Sequence, residues 1–266
     1  MKAPRMASMI ERRLLVNYRT DPEITARLLP APLRPRIIDG WAVAGICLIR
    51  LGAVRPASMP MPGGLRSENT AHRIAVEWDT ADGIAHGVYI PRRDTDSVLT
   101  TWAGGRIFPG RHHRARFDVR ESTDDVQIKV DSHDDAVRIE VHARTTAALE
   151  GSRLFPGTAQ ASGFFRCGGA GYSATPDPAR LDGVDLVAED WQVTPVELTS
   201  VHSSFFDDPA RFPPGSAIPD CGLLMRDIPA TWLPLPPMAV QPAPSRSQTT
   251  CCHQASISGG LSTSTR

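Results

Sequence analysis

Apolar residues recur at every second position through the middle of this chain. Thr70, His72, Ile74, Val76 and Trp78 alternate with Ala71, Arg73, Ala75 and Glu77. Ile84, His86, Val88 and Ile90 repeat the pattern after Asp82-Gly83. Val126-Ile128-Val130 and Val137-Ile139-Val141 repeat it again around residues 132–135. A period of two belongs to an extended strand with one buried face, and an Asp-Gly pair between two such runs reads as a hairpin turn. Further strands are expected at residues 37–51, 114–120, 162–167 and 191–201. Helices are few. Asp21-Pro22-Glu23 offers a cap, a first-turn proline and an acidic first turn for a short helix over 22–29, and Gly104-Gly105 would close a second over 95–103. Many strands and few helices in 266 residues predict a mainly β (α+β) fold. A large antiparallel sheet of this kind closes on itself or stacks, which removes exposed edges. No internal repeat is present. The segment 239–266 has no aromatic residue and is rich in Ser, Thr, Pro, Gln and Gly. It is expected to be a disordered tail behind one folded domain, 1–238.

Charge narrows the function. Basic and acidic residues balance at 29 each, so no net field holds the chain on nucleic acid or an anionic membrane, and neither partner is expected. All but two of the basic residues are arginine, the exceptions being Lys2 and Lys129. Chemistry that needs an amine nucleophile has almost no candidate, and no Gly-Lys-Ser/Thr exists for a phosphate loop. The first twenty residues hold no apolar run of signal-peptide length, and the window from Trp41 to Ile49 is too short to span a bilayer, so a cytoplasmic location is expected. Five irregularly spaced cysteines argue against a disulfide framework. Cys47 reads as a core residue. Cys251-Cys252-His253 lies in the tail with little to order it, so no metal is expected. Gly169-Ala170-Gly171-Tyr172-Ser173-Ala174 fits a loose dinucleotide fingerprint, but Pro176 and Pro178 forbid the helix that must open there. No cofactor is expected.

Two side chains stand out for acid–base work. Glu68 and His72 share the parity of Ile74 and Val76, so both point into the sheet's buried face. A carboxylate and an imidazole in one low-dielectric interior suit proton transfer or ligand binding. The competing reading pairs Glu68 with a rim arginine such as Arg66 or Arg73. If Trp78 pairs with Ile84, His86 falls on the same face about 13 Å from His72, too far to share a metal ion. Arg92-Arg93-Asp94 ends the hairpin, and its guanidinium forks can bind a carboxylate in bidentate fashion or pair locally through Asp94. His112 and His113 are sent to opposite faces by a strand. His202-Ser203 is a weak hydrolase signal, since neighbours on one backbone rarely reach nucleophile–base geometry. Phe205 and Phe206 read as a plug for an opening in the core.

Several segments resemble a known family. SENTAHRIAVEW, GVYIPRRDTDS, LLPAPLRPRIIDGWAVAGICLI and HSSFFDDPARFPPGSAIPDCGLLMRDIPATW resemble the YqjF-like family, a domain of unknown function within the acetoacetate decarboxylase-like superfamily. The resemblance covers residues 10–235 as one domain. It implies a closed, cone-like antiparallel β-barrel with a few short peripheral helices and a central cavity. It does not carry over the decarboxylase's Schiff-base lysine, because the matching stretch, residues 105–113, contains none, and arginine cannot serve as the amine. Lys129 shares a strand face with Gln127 and Asp131, an outward position. Glu68 looks like a cavity glutamate of the superfamily. The expected function is binding of a small organic acid or ketone-like molecule. Its polar contacts would be Glu68, His72, His86 and one of Arg73, Arg92 or Arg106. One alternative is non-covalent acid–base catalysis on a carbonyl compound by Glu68 or His72. A second is an assembly protein, and a homo-oligomer is compatible with either.

Overall fold

The computed structural model describes residues 4–59, 64–103 and 109–240. Strand β1 (Met6–Thr20) leads into the short helix α1 (Pro22–Ala26), then β2 (Arg34–Pro35), β3 (Ile37–Ile38) and β4 (Trp41–Pro56). Next come β5 (Leu65–Thr80), β6 (Gly83–Thr95), helix α2 (Val98–Ala103), β7 (His112–Glu121), β8 (Asp125–Ser132) and β9 (Arg138–Thr145). Helix α3 (Thr158–Arg166), β10 (Ala170–Ala174), β11 (Arg180–Ala188), β12 (Thr194–Ser203) and β13 (Ala217–Ala239) complete the order.

One sheet closes twice. The path β6-β7-β8-β9-β12-β13-β1-β4-β5 returns to β6, a ring of nine strands. The path β11-β10-β6-β5-β4-β1-β13 returns to β11, a ring of seven. Five strands, β13, β1, β4, β5 and β6, are common to both, and each shows alternate residues to opposite sides. Leu14, Val16, Ile46, Leu48, Ile74 and Val76 face the interior of the nine-strand ring, where Ile128, Val130, Ile139 and Val141 meet them. Leu15, Cys47, Ile49, Ala71, Ala75 and Ile90 face the other way, where α3 covers them with Ala161, Phe164 and Phe165. The long strand β13 serves both rings because its two halves have different neighbours. Leu224 to Gly222 pair with β12, and Ala230 to Ala239 pair with β11.

Local chemistry explains the departures from expectation. The sheet is mixed, since β6 pairs in parallel with both β7 and β10. The expected strand 37–51 breaks at Asp39-Gly40, whose φ values of 46° and 81° are those of a two-residue hairpin turn with both central residues left-handed. Residues 162–167 form most of a helix rather than a strand. Ala161, Phe164 and Phe165 are buried in α3, and that spacing of three and four is a helix face. Asp21 caps α1 as expected, accepting from the amides of Glu23 and Ile24 at 2.9 and 3.0 Å. The expected hairpin is present with its register moved by one. Thr80 pairs with Gly83 and Trp78 with Ala85, because the loop holds only Ala81 and Asp82. A one-residue shift reverses the face of every following side chain. His86 therefore lies opposite Glu77, on the face opposite to His72, half exposed and 3.9 Å from the Glu77 carboxylate. No described helix is long and apolar enough to cross a membrane. β13 runs to Ala239, and residues 241–266, most of the expected tail with Cys251, Cys252 and His253, lie outside the described residues.

A cavity over an arginine floor

The candidate site lies inside the seven-strand ring. Its floor follows from strand register. Arg13 of β1 pairs with Ile49 of β4, and Leu15 with Cys47. Cys47 pairs with Ala71 of β5, and Gly45 with Arg73. Ala71 pairs with Arg93 of β6. The small residues Cys47 and Ala71 thus sit at the centre, with Arg13, Arg73 and Arg93 around them on one face. Phe164 and Phe165 of α3 form the roof, and Gly171, Val184 and Leu186 form a wall. Arg36 and His112 also line the space, which amounts to about 90 Å³.

Among the described residues, Arg13, Arg73 and Arg93 have only neutral partners, while Arg36 also feels the Glu77 carboxylate. Arg73 is 4% exposed. It donates to Asn17 Oδ1, stacks 4.8 Å above the Phe165 ring, and leaves its Nε without a partner. Arg93 Nε donates to Ser173 Oγ at 3.1 Å. Arg13 Nε donates to Cys47 Sγ at 3.4 Å, and its guanidinium lies 5.7 Å from the Trp191 ring. Arg36 stacks 4.1 Å above Phe164. Burial lowers Arg73 and Arg93 to about 10, so both still carry their charge at neutral pH, and it lowers Arg36 as well. Asp94 also lines the cavity but is already taken, since Arg92 Nη2 donates to it at 2.7 Å. Residues 1–3, 60–63, 104–108 and 241–266 contain no aspartate or glutamate. His112 Nδ1 has no partner, and burial, then the charge of Arg93, depresses the ring to about 3, so it is neutral.

The sequence-predicted residues divide between the two rings. Arg73 lines the cavity. Glu68, His72 and Arg92 are on the opposite parity and face the nine-strand ring. Glu68 is held by Arg12 Nη2 at 2.5 Å and Arg50 Nε at 2.5 Å. Arg12 and Arg50 also bind Glu121, which pairs with Arg226 at 3.2 Å. This network ties five strands together at one end of that ring. It gives Glu68 arginine partners, though not Arg66 or Arg73. His72 is fully buried, stacked 4.6 Å from Phe205, with Nε2 3.4 Å from Ser203 Oγ. Burial, then Arg92 and Arg211, lowers it to about 3. Phe206 stacks on Tyr18 at 4.0 Å beside it. Arg92 also binds Asp134 at 2.8 Å. Arg106 and Lys2 lie outside the described residues. Lys129 is 56% exposed and paired with Glu140 at 2.7 Å, on β8 and away from the cavity. Sequence reasoning misses Arg13, Arg36, Arg93 as a cavity group, and His112. The one signal for them is arginine on the apolar parity of a strand, as at Arg13 between Arg12 and Leu14-Leu15. Among the described residues no cluster of His, Cys, Asp and Glu has the geometry of a metal site.

The closed sheet has known counterparts. Acetoacetate decarboxylase from Legionella pneumophila superposes with a TM-score of 0.57 at 13% identity, covering 90% of this chain and 88% of that one. An acetoacetate decarboxylase-like enzyme from Sphingomonas wittichii RW1 gives 0.55 at 16% identity, covering 91% and 94%. The enduracididine biosynthesis enzyme MppR, complexed with pyruvate, gives 0.56 at 13% identity, covering 91% of each chain. The fold is that of the acetoacetate decarboxylase-like proteins. No curated protein matches the sequence. The profile of domain of unknown function 2071, described as an uncharacterised conserved protein, matches residues 8–219, and the chain belongs to that family.

Proposed function

We propose that the protein binds a small organic acid, without a covalent bond to lysine, in the cavity over the arginine floor. One observation carries this reading: four guanidinium groups line a mostly apolar space and, among the described residues, three of them, Arg13, Arg73 and Arg93, have no carboxylate partner. An unpaired buried cation costs free energy, and a cavity of this kind with a few convergent polar groups is the usual form of a ligand site. A carboxylate matches a guanidinium fork in charge and geometry. The decarboxylase route is set aside for Lys129, which pairs with Glu140 away from the cavity; the other lysine, Lys2, lies outside the described residues. The acid–base alternative rests on Glu68 and His72, which lie behind the floor, so binding is preferred to turnover. The setting we infer is the cytoplasm, with no nucleic-acid or membrane partner.

Calorimetry of the full chain with pyruvate, acetoacetate and short-chain carboxylates tests the proposal. Saturable binding that weakens at least tenfold in Arg73→Met is expected. No heat and no rise in melting temperature with any carboxylate would overturn it. Borohydride added with acetoacetate is expected to leave the intact mass unchanged, and a reduced adduct on a lysine would remove the non-covalent part.

A further inference from the structure

The charge on the floor exceeds what one acid group answers. Arg13, Arg73 and Arg93 bring three cationic groups without a carboxylate partner among the described residues to one cavity, and a monocarboxylate would engage one fork and leave the others unmatched. The positions are also spread. Arg13 and Arg93 belong to the outer two of four adjacent strands, with Cys47 and Ala71 between them. The two lie three strands apart in the ring, with Arg13 two residues along from the Cys47–Ala71–Arg93 row, and both side chains line the space above the small residues. Arg73 acts with the Arg13 side: it meets Asn17 of the same strand β1. Arg93 stands at the β10 side on Ser173. The floor's cations are therefore anchored toward two sides, Arg13 and Arg73 at β1 and Arg93 at β10, with Cys47 and Ala71 on the strands between.

We infer that the ligand is a short acid with two anionic groups, one held by Arg13 and Arg73 and the other by Arg93, with its carbon chain over Cys47 and Ala71 beneath Phe164 and Phe165. This rests on the proposed organic-acid site and narrows it to a dianion. Among the described residues, the neutral partners of these arginines leave N–H donors free at each end, and a second carboxylate would satisfy the far set without reorganising the near one. Both ends engaged at once make the second contact effectively intramolecular.

Matched pairs of ligands distinguish one anionic group from two on the unmodified chain. Affinities for linear diacids of four to seven carbons are compared with those for monoacids of equal length, at low and high salt. At least one diacid is expected to bind ten times or more tighter than its monoacid partner, with a steeper salt dependence. Arg93→Met should bring that ratio close to one while monoacid binding persists. Cys47 supplies an independent reading: its alkylation, followed by peptide mass mapping, should slow with a diacid at a concentration where the monoacid has no effect. Equal affinities across every pair in the unmodified chain would overturn the dianion and leave the organic-acid site standing. Absence of binding by both classes would overturn both. If Arg93→Met fails to fold, the paired affinities and Cys47 protection of the unmodified chain still separate these outcomes.

Discussion

Two histidines are held as neutral rings, and their protonation sets the acid limit of the fold. His72 and His112 are both depressed to about 3, chiefly by burial, against an ordinary value near 6.5. A base whose folded value is lowered binds its proton more readily in the unfolded chain. Its contribution to stability is therefore complete above about pH 6.5 and is lost as pH falls from there toward 3, at up to about 1.4 kcal/mol per pH unit for each ring. Denaturant melts between pH 4 and 8 should show a plateau above pH 7 and a decline below it, and His72→Phe, which keeps the stack on Phe205, should make the decline shallower. Glu68 gives a second test at this scale. Arg12 is 1% exposed and depends on Glu68 and, at 3.5 Å, on Glu121. Glu68→Gln leaves it under-compensated and is expected to cost about 3 kcal/mol, read by urea denaturation, while acid binding on the opposite face is unchanged.

Strands β4 and β5 decide what the cavity holds. Ala71 is 7% exposed at the centre of the floor. Ala71→Leu would fill the space beneath the roof without replacing an arginine. Binding of small acids should fall beyond detection by calorimetry, for a stability cost of about 1–3 kcal/mol. The elements themselves are legible in the sequence to different degrees. The alternation from Thr70 to Trp78 and the pair 126–130 with 137–141 give β5, β8 and β9, because each buries one face and the period is unambiguous. The Asp21 cap of α1 is legible for its local hydrogen bonds. Other elements are hidden by competing chemistry. Strand β13 carries Pro219, Pro229, Pro234, Pro236 and Pro237, and each lacks a ladder donor, so composition reads against a strand. The segment 162–167 is short enough to fit either period. The cavity lies one parity away from its expected place. Alternation shows that Glu68 and His72 share a face, but not which of the sheet's two faces encloses free space. The face of His86 depends on a turn of only two residues, Ala81 and Asp82, and shifting that turn by one position is enough to reverse it.

At the scale of the whole molecule, the folded unit reaches further than the aromatic content suggests. β13 continues to Ala239 along β11, and the Val240 amide donates to the Ala179 carbonyl at 2.8 Å. A chain ending at Val240 is expected to keep the melting temperature and acid affinity of the full chain. One ending at Trp232 removes the partner of Arg180 to Asp185 and should melt earlier, as differential scanning calorimetry would show. The matched identities of 13–16% show how little sequence a closed sheet of this kind needs to keep its path. Closure depends on which strands neighbour one another, whereas the chemistry depends on a handful of side chains over one patch of the sheet.

The five strands common to both rings carry two messages written on alternate letters. A substitution edits one message and spares the other, so the arginine-lined face is free to diverge while the face turned to the nine-strand ring holds the molecule together. Loss of a single letter garbles both at once, driving guanidinium groups into oil on one side and leucines and isoleucines into the binding space on the other. Deletion scanning should find β1, β4 and β5 intolerant of any missing residue, even where every individual replacement on the ligand side is accepted.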